Sequence, residues 1–413
     1  MEKIKTFAVG AQMLCVAFGA LVLVPLLTGL DPALALFAAG IATLIFQGIT
    51  GGMVPIFLGS SFAFIAPIKE SIGLYGIGDT LGALAASSLV FCALALCFKI
   101  WGLKFLDRFL PRIVTGPVII VIGLKLAPVA TSNSVSFGGA KFEILALIAA
   151  LISLAVAIII NIWGKRFVKL ISILIAVVVG YIVCLIFGKV DISPVINAPW
   201  FQIPWTAAIA AGKYATPSLS LAAVLFIVPV AIAPAVEHIG DILVISSVTG
   251  KDYAKKPGFH RTLLGDGIGT LFATLAGGPP STTYSEVTGA VALTKAFNPL
   301  YMRIAAIFAI ILAFCGKLNA LLTTIPAPVM GGIMMLLFGA ISAIGINSLI
   351  EAKVNLTNPR NLIIAALILT IGIGDLQIFI TPDFVLSGIG LSAIAGIILN
   401  ILIPMPKEEN KSN

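Results

Sequence analysis

Charged residues are scarce in this chain: only 10% of its 413 residues are Asp, Glu, Lys or Arg, and it has two histidines and five cysteines. A soluble domain carries about 25% charged residues, so a soluble globular protein is excluded. The cysteines lie in apolar segments without a CxxC pair, which favours buried packing over a metal site or a disulfide. The basic residues are spread over many short segments, which excludes a nucleic-acid surface. We therefore predict no metal, no cofactor and no nucleic-acid partner.

Apolar residues make up 60% of the chain and recur in runs long enough to cross a hydrocarbon core of about 30 Å. These runs predict an all-α polytopic membrane protein with fourteen spans, so that both termini lie on the same side. The predicted spans are 7–30, 32–50, 54–73, 80–100, 109–129, 142–162, 166–188, 217–245, 262–277, 280–297, 300–323, 325–349, 359–379 and 383–404.

Lys and Arg are enriched on the cytoplasmic side of membrane proteins. With the N-terminus in the cytoplasm, nineteen of the 25 basic residues fall in cytoplasmic tails and loops. The six on the outer side are Lys69, Lys125, Lys141, Lys189, Lys213 and Lys317. We therefore predict a multi-pass protein of the inner (plasma) membrane with both termini cytoplasmic. The first apolar run is interpreted as a retained helix, because it is too long for a signal-peptide core.

Four carboxylates interrupt the apolar spans: Glu237, Asp241, Asp266 and Glu286. A charge near the bilayer centre costs about 2.5–3.5 kcal/mol on insertion scales, so such groups line a pocket or a water-filled path. Glu237 and Asp241 are four residues apart and share one helix face. Two carboxylates this close cannot both stay ionised cheaply at low dielectric, which predicts a reversible proton site. The alternative is a structural pair neutralised by hydrogen bonds, and for Asp266 a structural role is almost as well supported.

Two short segments recur along the chain. Residues 111–116 (PRIVTG) open one span and residues 326–331 (PAPVMG) open another, 215 residues later. Likewise, residues 60–62 (SSF) are echoed 222 residues later by residues 282–284 (TTY). Both matches join one span to the seventh after it, and because seven is odd the second half would enter the membrane from the opposite side. This pattern predicts an inverted repeat, which is typical of secondary transporters.

The repeated spans 3 and 10 also contain helix-breaking residues. Pro55 and Gly59 interrupt span 3, and residues 277–280 (GGPP) open span 10. Extended backbone at membrane depth is tolerated only where it is buried in protein or lines a cavity. We predict half-helices that start at Phe62 and near Tyr284 and direct their N–H groups at such a cavity. The alternative is that Gly and Pro merely permit kinks and close packing of membrane helices.

The motifs around these residues resemble those of a known family, the nucleobase–ascorbate (nucleobase:cation symporter) transporters. The matching segments are 59–64 (GSSFAF), 237–241 (EHIGD), 257–261 (PGFHR), 265–267 (GDG), 282–286 (TTYSE) and 328–332 (PVMGG). The resemblance covers essentially the whole chain and is greatest to the bacterial uracil permeases.

This resemblance implies two inverted seven-helix repeats, with short antiparallel strands in spans 3 and 10 that cross at the substrate. It also implies a core domain, made of residues 1–106 and 214–323, and a gate domain, made of residues 107–213 and 324–413. Members of the family usually dimerise, and we expect a homodimer through the gate domains.

The resemblance also implies the roles of the site residues. Glu237 would grip the ring N–H groups of a base, and Glu286 would be a second acidic contact linked to proton coupling. The backbones of Phe62 and Ser285 would bind the carbonyl oxygens, and Tyr284 would line the pocket. The role of Asp241 rests on its spacing and not on the resemblance: four residues after Glu237, it would share in proton coupling by tuning the pKa of Glu237 and passing protons towards the cytoplasmic side. Supporting or structural positions beside the pocket are assigned to Asp266, Ser61 and Thr283.

We therefore predict a proton-coupled symporter, not an enzyme, that imports a nucleobase by alternating access, with uracil as the first candidate. Two positions depart from the uracil-permease pattern: Asp241 stands where His is usual, and Ser285 where Gly is common. Asp at the first position also occurs in xanthine-type members, whereas Glu286 favours the uracil branch. Xanthine or another purine is therefore the alternative substrate, and the choice between H⁺ and Na⁺ stays open.

Three other classes of protein are less well supported by the sequence. Sulfate and bicarbonate transporters resemble this architecture, but an anion site would not place two glutamates at the strand crossing. An intramembrane aspartyl protease is suggested by two GxGD segments that end at Asp79 and Asp375, but no Tyr-Asp partner motif is present. A channel is disfavoured because the acidic residues cluster at one site and do not indicate a ring.

Overall fold

The computed structural model describes residues 2–102, 111–139, 141–165, 167–381 and 384–403. The predicted boundary between residues 106 and 107, and the predicted cytoplasmic tail after residue 403, lie outside the described residues. The helices in chain order are α1 Glu2–Thr28, α2 Pro32–Ile49, α3 Ile65–Trp101, α4 Arg112–Ser134, α5 Ile144–Trp163, α6 Phe167–Leu170, α7 Ser172–Ile186, α8 Ser193–Asn197, α9 Pro204–Ala210, α10 Leu221–Ile227, α11 Ile232–Thr249, α12 Phe259–Leu275, α13 Ser285–Thr294, α14 Leu300–Ala313, α15 Gly316–Thr323, α16 Ala327–Glu351, α17 Pro359–Ile373 and α18 Gly388–Leu402.

Short irregular helices and strands complete the described chain. Two 3₁₀ helices, Phe62–Phe64 and Val228–Ala231, lead into α3 and α11, and a π-helical turn, Ala254–Gly258, leads into α12. The strands are β1 Leu58–Ser60, β2 Ser281–Thr283, β3 Gln377–Thr381 and β4 Phe384–Ser387.

Apolar helices dominate the described residues. Seven helical segments are long and apolar enough to cross a membrane, and four shorter apolar helices have 10–17 residues. Helix α5 has the highest hydropathy of the seven, yet only 28% of its most apolar window is buried. Its outward face includes Leu151, Ile159 and Ile162, each about half exposed or more. Such a surface belongs in lipid, and the chain is a multi-pass membrane protein. The count of fourteen spans stays a prediction.

Helix α3 is interrupted at one residue. We predicted separate spans at 54–73 and 80–100, and the helical path from Ile65 to Trp101 breaks at Gly76, between them. Gly76 has a φ of 81° and a ψ of 171°, which are not helical angles. An L-residue with a side chain is strained in that region, whereas glycine is not, so Gly76 divides α3 into two helical segments.

The helices pack in two groups. In the first group, α12 packs on α2 and α3, and α14 packs on α1 and α2. In the second group, α16 packs on α4 and α5, and α17 packs on α4 and α18. Helices α4 and α16, which carry the two related motifs at 111–116 and 326–331, lie side by side.

Strands β1 and β2 join the two interrupted segments in the middle of the molecule. They pair antiparallel, with Leu58 opposite Thr283, Gly59 opposite Thr282 and Ser60 opposite Ser281. All six residues are buried. The pairing continues when the Ser61 N–H donates to the Pro280 carbonyl over 2.9 Å. Each strand is followed at once by a helix, so two helix N-termini emerge beside each other from this crossing.

Candidate functional site

A cavity of about 430 Å³ lies beside the strand crossing. This volume falls within the range of about 300–1,000 Å³ that is typical of small-molecule pockets. Its wall is formed by Phe62, Ala63, Arg112, Ile119, Ile122, Val236, Glu237, Gly240, Asp241, Leu243, Val244, Ser247, Ser285, Ile341, Ile344, Asn347, Ser348 and Glu351. Most of these side chains are apolar, and the carboxylates converge where the two helix N-termini meet.

The cavity extends from the strand crossing to three helix ends. Arg112 begins α4, Glu351 ends α16, and Ser247 lies in the last turn of α11. All three are exposed. The distribution of Lys and Arg assigns these helix ends to the cytoplasmic side, so the cavity faces the side predicted to be cytoplasmic.

The structure brings Glu237, Asp241 and Ser285 into direct contact. Glu237 and Asp241 lie one turn apart on α11, and Ser285 is the first residue of α13. The Ser285 hydroxyl lies 2.8 Å from Oδ1 of Asp241 and 3.2 Å from Oε1 of Glu237. Asp241 is only 6% exposed, and its Oδ2 makes no hydrogen bond with the described residues. One oxygen of each carboxylate is thereby left for a ligand or a proton.

Backbone N–H donors face these carboxylates from the two helix starts. Helix α13 begins after the extended residue Tyr284, whose φ of −113° and ψ of 103° interrupt the helical path. The first four N–H groups of a helix have no partner within the helix, and the N-terminus is the positive end of its dipole. The same holds at Phe62, where the helical path into α3 begins. Phe62 and Ser285 line the same cavity as Glu237 and Asp241, so two helix starts and two carboxylates share one wall.

Tyr284 and Glu286 are not among the residues that line the cavity. The Tyr284 ring stacks on Phe62 with a centroid distance of 6.5 Å, and its buried hydroxyl makes no hydrogen bond with the described residues. Glu286 is half-buried in the first turn of α13, where the helix dipole stabilises a negative charge. Their predicted contacts with substrate stay predictions.

Asp266 lies in a separate buried network. Its Oδ2 lies 2.9 Å from Nδ1 of His238 and accepts the backbone N–H of Thr283 at 3.3 Å. Nε2 of His238 lies 2.9 Å from the Thr262 hydroxyl. Asp266 and His238 are completely buried. Asp266 thus connects α11 to strand β2 and is not among the residues that line the cavity, and its role stays a prediction.

Ser61 and Thr283, the other two supporting positions, contribute backbone contacts. The Ser61 N–H bonds to Pro280 and the Thr283 N–H bonds to Asp266. Both hydroxyls are buried, and neither makes a hydrogen bond with the described residues.

The polar side chains that bond the strand backbone were not predicted from the sequence. Thr43 and Gln47 of α2 bond the chain around β1: the Thr43 hydroxyl accepts the Leu58 N–H at 2.9 Å, and the Gln47 amide donates to the carbonyls of Val54 and Ile56. Thr270 of α12 donates to the Ser281 carbonyl at 2.8 Å. The available signal was a polar pair at i,i+4 in an otherwise apolar helix, since 43 with 47 and 266 with 270 share that spacing.

Other candidate chemistry does not assemble. Asp79 accepts a hydrogen bond from Ser218, whereas Asp375 forms an ion pair with Lys125. The two aspartates are thus engaged by different partners, and an aspartyl dyad needs two carboxylates that share one proton. Within the part of the chain that the structure describes, no group of three or more His, Cys, Asp or Glu residues could hold a metal ion.

The chain matches a family model and several curated proteins over most of its length. The model Xan_ur_permease, described as a permease family, matches residues 4–381. A probable uracil permease of Haemophilus influenzae is 51% identical over 408 residues, covering 99% of this chain and 96% of the relative. The uracil permease of Bacillus caldolyticus is 42% identical, covering 95% and 90%, and that of Escherichia coli K12 is 36% identical, covering 97% and 92%.

Solved structures share the fold at low sequence identity. The transmembrane domain of the cyanobacterial bicarbonate transporter BicA aligns with a TM-score of 0.64 at 14% identity and covers 96% of each chain. SLC26A9 aligns with a TM-score of 0.68 at 12% identity, covering 97% of this chain and 65% of that one. At these identities the likeness concerns the fold alone.

Proposed function

We propose that this chain, which belongs to the permease family of nucleobase–ascorbate transporters, imports a nucleobase together with protons, with uracil as its first substrate. Its membership of this family makes it a transport protein and not an enzyme. The observation that carries this proposal is that two helix starts, at Phe62 and Ser285, line the same cavity as the carboxylates of Glu237 and Asp241. The curated relatives named uracil permease, at 36–51% identity, support the choice of base.

The chemistry of uracil fits such a site. The base presents alternating N–H donors and carbonyl acceptors along its edge. The free oxygen of Glu237 accepts a ring N–H, and the backbone N–H groups at Phe62 and Ser285 donate to the carbonyl oxygens. A site whose buried polar groups are paired by the right base rejects analogues that leave those groups unpaired. Glu286 and Tyr284 complete the site when the base is bound.

The carboxylates also supply a place for the coupled proton. Neither Glu237 nor Asp241 forms an ion pair with a cation among the described residues, whereas Asp266 is paired with His238. Two unpaired carboxylates in contact with one hydroxyl are costly to keep ionised at low dielectric. Proton uptake on one of them during import therefore couples the base to the proton gradient.

The two packing groups of helices support a transport cycle by alternating access. We assign residues 1–106 and 214–323 to a core domain that carries the site, and residues 107–213 and 324–413 to a gate domain, the two related by an inverted repeat of seven spans each. The cavity lies between α11 and α13 of the core and α4 and α16 of the gate. It opens towards the cytoplasm in this conformation of an inner-membrane protein with cytoplasmic termini. The gate domains form the homodimer contact.

An anion substrate is the competing function, because the solved structures with this fold include a bicarbonate transporter. The site argues against it. Glu237 and Asp241 line the cavity and Glu286 lies in the adjoining helix turn, and this grouping would repel an anion. Arg112, at the mouth, is a cationic group in the cavity wall, but it donates to the Ser348 hydroxyl and forms no ion pair with Glu237 or Asp241.

The test is uptake of labelled uracil into proteoliposomes that contain the purified protein. Excess unlabelled uracil, xanthine, hypoxanthine, thymine or cytosine is added in parallel, and empty liposomes are the control. We expect uptake above the control that uracil abolishes and that xanthine and hypoxanthine leave intact. Inhibition by xanthine would favour the purine alternative. The absence of uptake for every base would overturn the proposed function.

A further inference from the structure

The Ser285 hydroxyl lies between two carboxyl groups and has only one proton to donate. Its Oγ lies 2.8 Å from Oδ1 of Asp241 and 3.2 Å from Oε1 of Glu237. A hydroxyl carries one O–H donor and two acceptor lone pairs. Two full hydrogen bonds form at Oγ when one of the two carboxyl groups is protonated and donates to Oγ, while the hydroxyl donates to the other. The geometry therefore offers a place for a proton within this cluster.

From this arrangement we propose that the Ser285 hydroxyl relays a proton between Asp241 and Glu237, so that Glu237 is ionised when it binds the base. The inference rests on the proposed function. In the relay that accompanies base binding, the O–H bond at Glu237 Oε1 breaks as its proton moves to Oγ of Ser285. At the same time the Ser285 O–H bond breaks and its proton moves to Oδ1 of Asp241. One proton is transferred, and the hydroxyl is regenerated.

The direction of proton transfer follows from the hydrogen-bond partner of each carboxyl group. A base that presents a ring N–H needs Glu237 as an ionised acceptor, so its binding drives the proton from Glu237 to Asp241. Asp241 then donates to Oγ, and the hydroxyl donates to Oε1 of Glu237, which leaves Oε2 for the base. When the base leaves, the proton returns to Glu237 or exits from Asp241 into the cavity. Binding of base and proton is thus linked through one hydroxyl.

The charged groups around the cluster do not neutralise Glu237 or Asp241, so the two carboxyl groups depend on this proton. From α11 the only other titratable neighbour is His238, which is bonded to Asp266 of α12. From α13 the neighbour is Glu286, which adds negative charge. Tyr284 is buried beside them. From the gate helices α4 and α16, Arg112 and Glu351 line the same cavity at its mouth. Among the described residues, none of these forms an ion pair with Glu237 or Asp241.

Ser285→Ala tests the relay because it removes the hydroxyl and keeps the backbone N–H. Binding of labelled uracil and its accumulation under an inward pH gradient are measured between pH 5 and pH 8. We expect Ser285→Ala to retain binding but to lower gradient-driven accumulation by about tenfold or more, the factor lost with one hydrogen bond to a charged group. The pH profile of binding should change as well, since the two carboxyl groups no longer share a proton.

Two further variants separate the relay from a structural role. Ser285→Thr restores a hydroxyl and should recover accumulation and the wild-type pH profile. Ser132→Ala removes an exposed serine hydroxyl that bonds only within α4 and does not line the cavity, and it should change neither. If Ser285→Ala is not stably produced, Ser285→Gly, which also lacks the hydroxyl, takes its place.

The outcomes distinguish the relay from the proposed function. Wild-type accumulation and an unchanged pH profile in the variant without the hydroxyl would overturn the relay while uracil transport stands. Failure of Ser285→Thr to restore them would also overturn it. Failure of the wild-type protein to take up any base would instead overturn the proposed function.

Discussion

Gly59→Ala should damage the binding site through a single added methyl group. Gly59 lies in the middle of β1, opposite Thr282, and the Tyr284 ring packs against its α-carbon. A Cβ at this position would lie 2.7, 2.8 and 2.9 Å from three atoms of that ring. Carbon atoms in ordinary contact are about 3.5–4.0 Å apart, so the ring must move by roughly 0.8 Å. The ring is buried and stacked on Phe62, and it therefore cannot move alone.

The expected cost follows from this clash. Overpacking of a tight interior costs about 1–3 kcal/mol. Phe62 and Ser285 flank the displaced ring, so this cost is divided between the stability of the fold and the affinity for uracil. At about 1.4 kcal/mol per factor of ten, uracil affinity should fall by at most about 5- to 150-fold, and the remainder should lower thermal stability.

The assay is equilibrium binding of labelled uracil to purified protein, with thermal stability measured in parallel. Gly289→Ala is the matched control, because Gly289 lies on α13 near the same site and a Cβ there meets nothing within 4 Å. It should bind uracil like the wild type. Wild-type affinity in Gly59→Ala would refute the claim that Tyr284 and the strand crossing set the binding geometry.

Three further predictions concern the carboxylates, the driving force and the strand supports. Glu237→Gln places amide donors against the ring N–H groups of the base, so uracil binding should collapse. Glu286→Gln mimics a protonated acid, so this variant should keep uracil exchange but lose proton-driven accumulation. Normal accumulation by both variants would contradict the assignment. Uptake should rise with an inward pH gradient and stop with a protonophore, and uptake that requires sodium and ignores the protonophore would exclude proton coupling. Thr270→Val removes the hydrogen bond to the buried Ser281 carbonyl and should lower the free energy of unfolding by about 1–3 kcal/mol, measured by thermal denaturation. The control is Thr274→Val, which removes hydroxyl contacts within its own helix and should lower the free energy of unfolding by less.

The sequence by itself determined the class of protein and the site's chemical composition. Sixty per cent apolar residues in long runs leave no option but membrane helices, and a buried carboxylate must face a partner or a cavity. The i,i+4 spacing placed Glu237 and Asp241 on one helix face. Pro and Gly at the interrupted spans indicated that helices restart at Phe62 and within one residue of Tyr284. These are local properties, since helix geometry and the absence of a proline N–H act over a few residues.

Only the tertiary structure decided which of these residues meet. Ser285 and Asp241 are 44 residues apart in sequence, and nothing local predicts the 2.8 Å contact between them. Asp266 reads in sequence like the other intramembrane carboxylates, but the folded chain turns it towards His238 and strand β2, away from the cavity. The polar partners of the strands, Thr43 and Thr270, lie on other segments of the chain and become visible only when helix and strand pack together. A short-range pattern specifies what a residue can do, whereas the long-range packing of α11, α12 and α13 selects the partner with which it does so.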